Sequence, residues 1–150
     1  MAILPALKQI GTTLLADADL TAFCQQNFGK SLTVKRSYRD REEIGMDECP
    51  IVIITRPQVE RENGLNRRSR GVHTARLYFG LYQHDVAGDP REVGNDLSVE
   101  FEELIEAALV ADTTLNSTVS AIVPGSSVND EGALHPTYFG VMDVNLYKRL

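Results

Sequence analysis

The chain has 150 residues, 43% of them hydrophobic, and a formal net charge of -6. That is enough for one domain with its own core, held without disulfides or structural metals. The acidic balance argues against a general nucleic-acid binder, which carries a basic footprint, and no apolar run reaches the ~18 residues of a membrane span.

In chain order, the first segment is MAILPALKQIGTTLLADADL. It is apolar, but it lacks a basic leader and carries Pro5, Lys8 and Gln9 in a periodic pattern, so it reads as an amphipathic helix rather than a signal peptide. An intracellular, soluble protein without a membrane partner is expected. Leu20, Phe23, Cys24 and Phe28 line a second short helix, with Asp17 or Asp19 to cap its start and Gly29 to end it. Leu32 to Tyr38 alternates as a half-buried strand. The polar run Arg39 to Glu48 is a connection. The β-branched run from Pro50 to Thr55 suits a strand covered on both faces and central in its sheet. After the polar segment from Arg56 to Arg70, Val72 to Tyr82 alternates again. Ala75, Leu77, Phe79 and Leu81 share one side; Thr74, Arg76, Tyr78 and Tyr82 share the other. Both sides are bulky, so the second is expected to be covered too, by another subunit.

Val86 to Pro90 reads as a turn. A helix from about Asp96 to Ala111 follows, with Asp96 as N-cap. Leu97, Phe101, Leu104, Ile105, Ala108 and Leu109 form its apolar stripe, and Glu102, Glu103 and Glu106 point away from it. Thr118 to Val123 reads as a strand, broken by Pro124-Gly125-Ser126-Ser127, and Tyr138 to Tyr147 as the last strand. The expected fold is a single α+β domain over residues 1–150: a mostly antiparallel or mixed sheet of about five strands, helices on one face, and an extended polar loop at about 56–70.

Motifs for chemistry are scarce. His84, Asp85 and Asp89 sit together but read as a solvated turn, without metal-ligand spacing. Cys24 and Cys49 match neither a zinc site nor a disulfide framework and read as reduced thiols. No GxxxxGK[ST], GxGxxG or GxSxG occurs. Neither an enzyme nor a cofactor is expected.

The charge pattern is more informative. Residues 56–70 read RPQVERENGLNRRSR: Arg56, Arg61, Arg67, Arg68 and Arg70 stand against Glu60 and Glu62 alone. Between Asp85 and Asp112, acids crowd against a single cation, Arg91. Unstructured connections beyond about 12–15 residues are uncommon unless functional or disordered. A basic loop on one copy could therefore meet the acidic helix of the next, at Glu102, Glu103 and Glu106. Arginine suits this because its planar fork pairs carboxylates bidentately, and a contact between two different patches closes into a ring when the rotation permits. A competing expectation sends these arginines to phosphates of DNA passing through or near the assembly.

The order of segments resembles the tail terminator (tail completion) proteins of long-tailed bacteriophages, and more loosely their neck proteins. The resemblance runs through LTAFCQQNFG, CPIVIIT, the polar loop, VHTARLYFGLYQHD, FEELIEAALVADTTLN and YFGVMDVNLYKRL. It implies an α+β fold, a hexameric ring that caps the tail tube, tail tube and head–tail connector proteins as partners, DNA in the ring lumen, and a place in the virion after assembly in the host cytoplasm. It also implies a non-enzymatic role.

Overall fold

A computed structural model describes residues 3–61, 71–83 and 88–148. Two helices, α1 (Leu4–Ala16) and α2 (Ala18–Phe28), precede a five-stranded sheet. The strands are β1 (Thr33–Lys35), β2 (Ile51–Arg61), β3 (Gly71–Tyr82), β4 (Ala121–Asn129) and β5 (Thr137–Lys148), with helix α3 (Pro90–Val110) between β3 and β4. Their order in the sheet is β1-β2-β3-β5-β4. β1 runs parallel to β2 and the other pairs are antiparallel. The expected α+β class and mixed five-stranded sheet are therefore what the chain forms.

The three helices lie on one face of the sheet. Ile10 and Leu14 of α1, Leu20 and Phe23 of α2, and Phe101 and Ile105 of α3 are buried against Val52, Ile54, Leu77, Phe79, Met142 and Val144. Phe101 sits at the centre: its ring stacks on Phe23 at 5.7 Å and meets Phe79 edge-on at 6.0 Å. Full burial of each such side chain contributes roughly 1.5–3 kcal/mol. Asp17 joins the first two helices, ending α1 and accepting the Leu20 N–H at 2.8 Å as the N-cap of α2. Gly29, at φ 64°, closes α2 in the left-handed conformation.

Several boundaries differ from the sequence reading. α3 begins at Pro90 rather than near Asp96, and its N-cap is Asp89, which accepts from the Arg91 and Glu92 N–H groups. The first turns carry no apolar stripe because Gly94 and Ser98 occupy the buried positions. A Cβ on Gly94 would come within 2.1 Å of the Tyr138 ring, so this face is small where Tyr138 is large. The strand read over Leu32 to Tyr38 pairs only at Thr33–Lys35; Val34 turns toward α1, while Tyr38 stacks edge-on against Tyr78 on the opposite face. β2 is covered on both faces, as expected, but it is second from the edge, and β3 is central. The Pro124 break does not end β4: the strand continues to Asn129 across a bulge between Pro124 and Ser127.

The largest correction concerns the Arg-rich segment. β2 does not stop at Thr55 but crosses a bulge at Arg56-Pro57 and pairs with β3 until Arg61 meets Gly71. The first six residues of the expected loop are thus strand. Proline fits there because a bulge does not require its missing N–H.

Candidate assembly surfaces

The sheet face away from the helices carries the most unusual chemistry among the described residues. Period-two alternation sends Ile51, Ile53, Tyr78, Phe139, Val141 and Val128 to this side, and the register sets Ile53, Tyr78, Val141 and Val128 in one row across four strands. At the β2 end the row is roofed by the 39–48 connection. Ile44 packs with Cys49, Ile51, Ile53, Tyr78 and Tyr82, and Arg39 and Glu48 close an ion pair over it. Tyr38 leans on Tyr78 with ring centroids 5.4 Å apart and donates its hydroxyl to Asp40 at 2.9 Å. Between the roof and β5 lies a mostly apolar pocket of about 240 Å³ lined by Tyr38, Ile44, Tyr78, Phe139 and Val141, with Arg39 as its charged member.

At the β4 end the roof stops. Val128 is 71% and Val123 44% exposed there, while Tyr38, at the rim of the roof, is 59% exposed. The middle of the face is polar: Arg76 grips Asp143 through two hydrogen bonds of 2.8 and 3.1 Å, and the Thr74 hydroxyl donates to Asn145 at 3.4 Å. The charge-assisted fork holds the Arg76 cation more firmly than usual. Toward the end of the sheet where Arg61 pairs with Gly71, Val72 and the partly exposed Tyr147 add a second apolar strip. The expectation that the second face of β3 is bulky and covered is thus met in part, by the chain's own connection.

The predicted site residues fall on two other places. Arg56 lies in the β2 bulge and is exposed. Arg61 stands at the last β2–β3 pair; its side chain, and all of Arg67, Arg68 and Arg70, lie outside the described residues. The described residues that flank positions 62–70, Arg61 and Gly71, pair with each other, and Gly71 also pairs with Lys148 of β5. On α3, Glu103 and Glu106 are exposed and Glu102 is half-buried. Among the described residues no ion pair joins Arg56 to these glutamates.

Cys24 and Cys49 are free and buried, and burial pushes both thiols up to about 11, far from a reactive thiolate. His84 and Asp85 lie outside the described residues, while Asp89 is occupied as a helix cap. Among the described residues no group of three or more metal-ligating side chains forms, and no helix is long and apolar enough to cross a membrane. His135 has a structural contact: its Nδ1 lies 2.5 Å from the Tyr138 hydroxyl, which also reaches the Pro90 carbonyl oxygen at 3.2 Å.

The sequence reading missed Tyr38, Val123 and Val128. Tyr38 was assigned to a strand alternation, and Val128 fell beyond the apparent end of β4. The β4–β5 register places Val123 and Val128 on this face, and the ring contact with Tyr78 brings Tyr38 to it.

No family model matches the chain, and no curated protein does either. Twenty-six solved chains match. One of them, from the structure titled "Virion of native gene transfer agent (GTA) particle", aligns over 96% of this chain and 94% of its own, at 10% identity and a TM-score of 0.47.

Proposed function

We propose that this chain is a structural component of a virion, and within that class a ring-forming tail terminator that caps the tail tube and joins it to the head connector. Its role is steric and electrostatic rather than catalytic. The observation that carries the reading is the open sheet face, where Tyr38, Val128 and Val123 stand exposed around a row of apolar side chains on a chain with a well-filled core. Contiguous exposed apolar surface marks sites that mate with another protein. The segment order, two N-terminal helices before the sheet and a polar segment between β2 and β3, is the order that supports the terminator resemblance. A neck protein of the same assembly is the near alternative.

The test is the mass of the purified protein and its incorporation into particles. A discrete ring, hexameric by the resemblance, and a place at the head–tail junction are expected. Reversing Arg67 and Arg68 to Glu is expected to block assembly while leaving the circular dichroism spectrum unchanged; particles that form normally would remove the hairpin from the interface. A second reading follows from the five arginines at positions 56–70: a small regulatory domain that grips nucleic-acid phosphates. Its mark is a steep loss of affinity with salt in filter binding, by a protein that stays monomeric.

A further inference from the structure

The edge of the domain opposite β4 carries a basic groove. It is a shallow depression of about 590 Å³ between α1 and the edge strand β1. Lys8 of α1, Lys35 of β1 and Arg36 just after it supply three cations, and no acid among the described residues lines it. Its floor is apolar, formed by Val34 and by Leu15, which is 53% exposed. Lys35 lies in the field of Glu48, which is itself bound to Arg39.

The chain also carries a surface of matching chemistry. On α3, Val99, Glu103, Glu106 and Val110 follow the spacing i, i+4, i+7, i+11, which places them on one ridge of a helix. Glu92 and Asp96 extend the same ridge toward the N-terminus. It points away from the buried stripe of Phe101, Ile105 and Ala108. All four of Glu92, Asp96, Glu103 and Glu106 are exposed, and Val99 is 49% and Val110 37% exposed. Two valines flanked by carboxylates thus complement a leucine and a valine flanked by cations.

We infer that the basic α1–β1 groove receives the acidic α3 ridge of a second copy of this chain. The contact is heterologous, so each copy offers a groove to one neighbour and a ridge to the other, as a closed ring requires. The inference rests on the ring reading and names one joint within it. It also gives the acidic helix a partner formed by residues far apart in sequence, instead of the Arg-rich hairpin. Val34 and Leu15 against Val99 and Val110 supply the apolar centre, and the charges around it set register and exclude wrong partners.

The test is a charge swap followed by sedimentation velocity. One variant carries Lys8→Glu, Lys35→Glu and Arg36→Glu; the other carries Glu103→Lys and Glu106→Lys. Each alone is expected to raise the self-association constant for dissociation by about tenfold or more, and added salt is expected to weaken the wild-type assembly. Mixed one to one, the two variants are expected to assemble, because reversed groove meets reversed ridge and native groove meets native ridge. Only folded protein can give that rescue, and a milder Lys8→Gln, Lys35→Gln, Arg36→Gln set guards against misfolding. Variants that assemble like wild type, or a mixture that stays dissociated, overturn the contact while leaving the ring standing. A wild-type chain that is monomeric at every concentration overturns both. Loss of binding to a phosphorylated oligonucleotide in the groove variant, with self-association unchanged, overturns it in favour of a phosphate site.

Discussion

Tyr138 shows how single residues set this fold's constraints. Its side chain is completely buried at the start of β5, and its ring fills the space that Gly94 of α3 leaves open. Alanine at 94 would be the better helix former by about 1 kcal/mol, but its Cβ would stand 2.1 Å from the ring. Overpacking of this kind costs typically 1–3 kcal/mol, and the bulky ring cannot retreat without breaking its contacts to His135 and Pro90. Gly94→Ala is therefore expected to lower stability in urea unfolding, against its helix propensity. Asp112 makes a second case. It accepts hydrogen bonds from the Asn116 and Thr114 N–H groups and from the Thr114 hydroxyl, in a turn where Leu115, Asn116 and Ser117 all take positive φ. These bonds, led by the one from Asn116, hold its carboxyl below the usual range. Because the folded state favours the ionised form, the contribution is present above the carboxyl pKa of the unfolded chain and is lost as pH falls through the folded value. Asp112→Asn is expected to be less stable than the wild type at neutral pH, with the two stability curves converging below about pH 4.

At the scale of elements, α3 and β4 are tied by one polar contact inside an apolar layer. The Asn129 side-chain amide donates to Ser98 at 2.7 Å, and Ser98 is completely buried. Truncating Asn129 to Ala strands the hydroxyl, for a cost of about 1–3 kcal/mol; adding Ser98→Ala is expected to recover part of that loss in thermal melts. The same pair shows what the sequence could reveal. Gly94 and Ser98 take buried positions of α3, so the apolar stripe in the sequence starts at Leu97 and points to a helix start near Asp96, although Asp89 and Pro90 form a good cap. Strong periodicity made the α1, α2, β3 and β5 elements plain, because their buried faces are filled with large apolar residues. Pairing was less visible. β1 is short and β2 long because of what lies beside them, and Pro57 and Pro124 mark bulges within strands rather than ends of them. The acidic ridge was legible because one helix carries it. The basic groove was not, since Lys8 and Lys35 line one depression only when β1 pairs with β2 beneath α1.

For the whole molecule, the asymmetry between the two sheet faces decides which surfaces remain for other proteins. The helices seal one face around Phe101, while the 39–48 connection roofs only the β2 end of the other. A five-stranded sheet with one open, partly apolar face invites a partner there, and the edge strands limit where else one can add. β1 is only three residues long, and β4 is interrupted by its Pro124 bulge, both of which discourage indefinite edge-to-edge growth. Val128 separates folding from assembly on this surface. It lies opposite Val141 and is 71% exposed, so Val128→Asp removes little buried area within the chain. Its effect on unfolding free energy is expected to stay within about 0.5 kcal/mol. Should the open face mate with the tail tube or a neighbouring subunit, an aspartate on its β4 side is desolvated without a cation opposite, which is costly. Val128→Asp is then expected to keep its melting temperature and to lose incorporation into rings or particles, while Val128→Ile keeps both. Equal incorporation of the Asp and Ile variants, scored by particle purification, would mean that the open face stays in solvent and that the mating surface lies on the hairpin or the helical side.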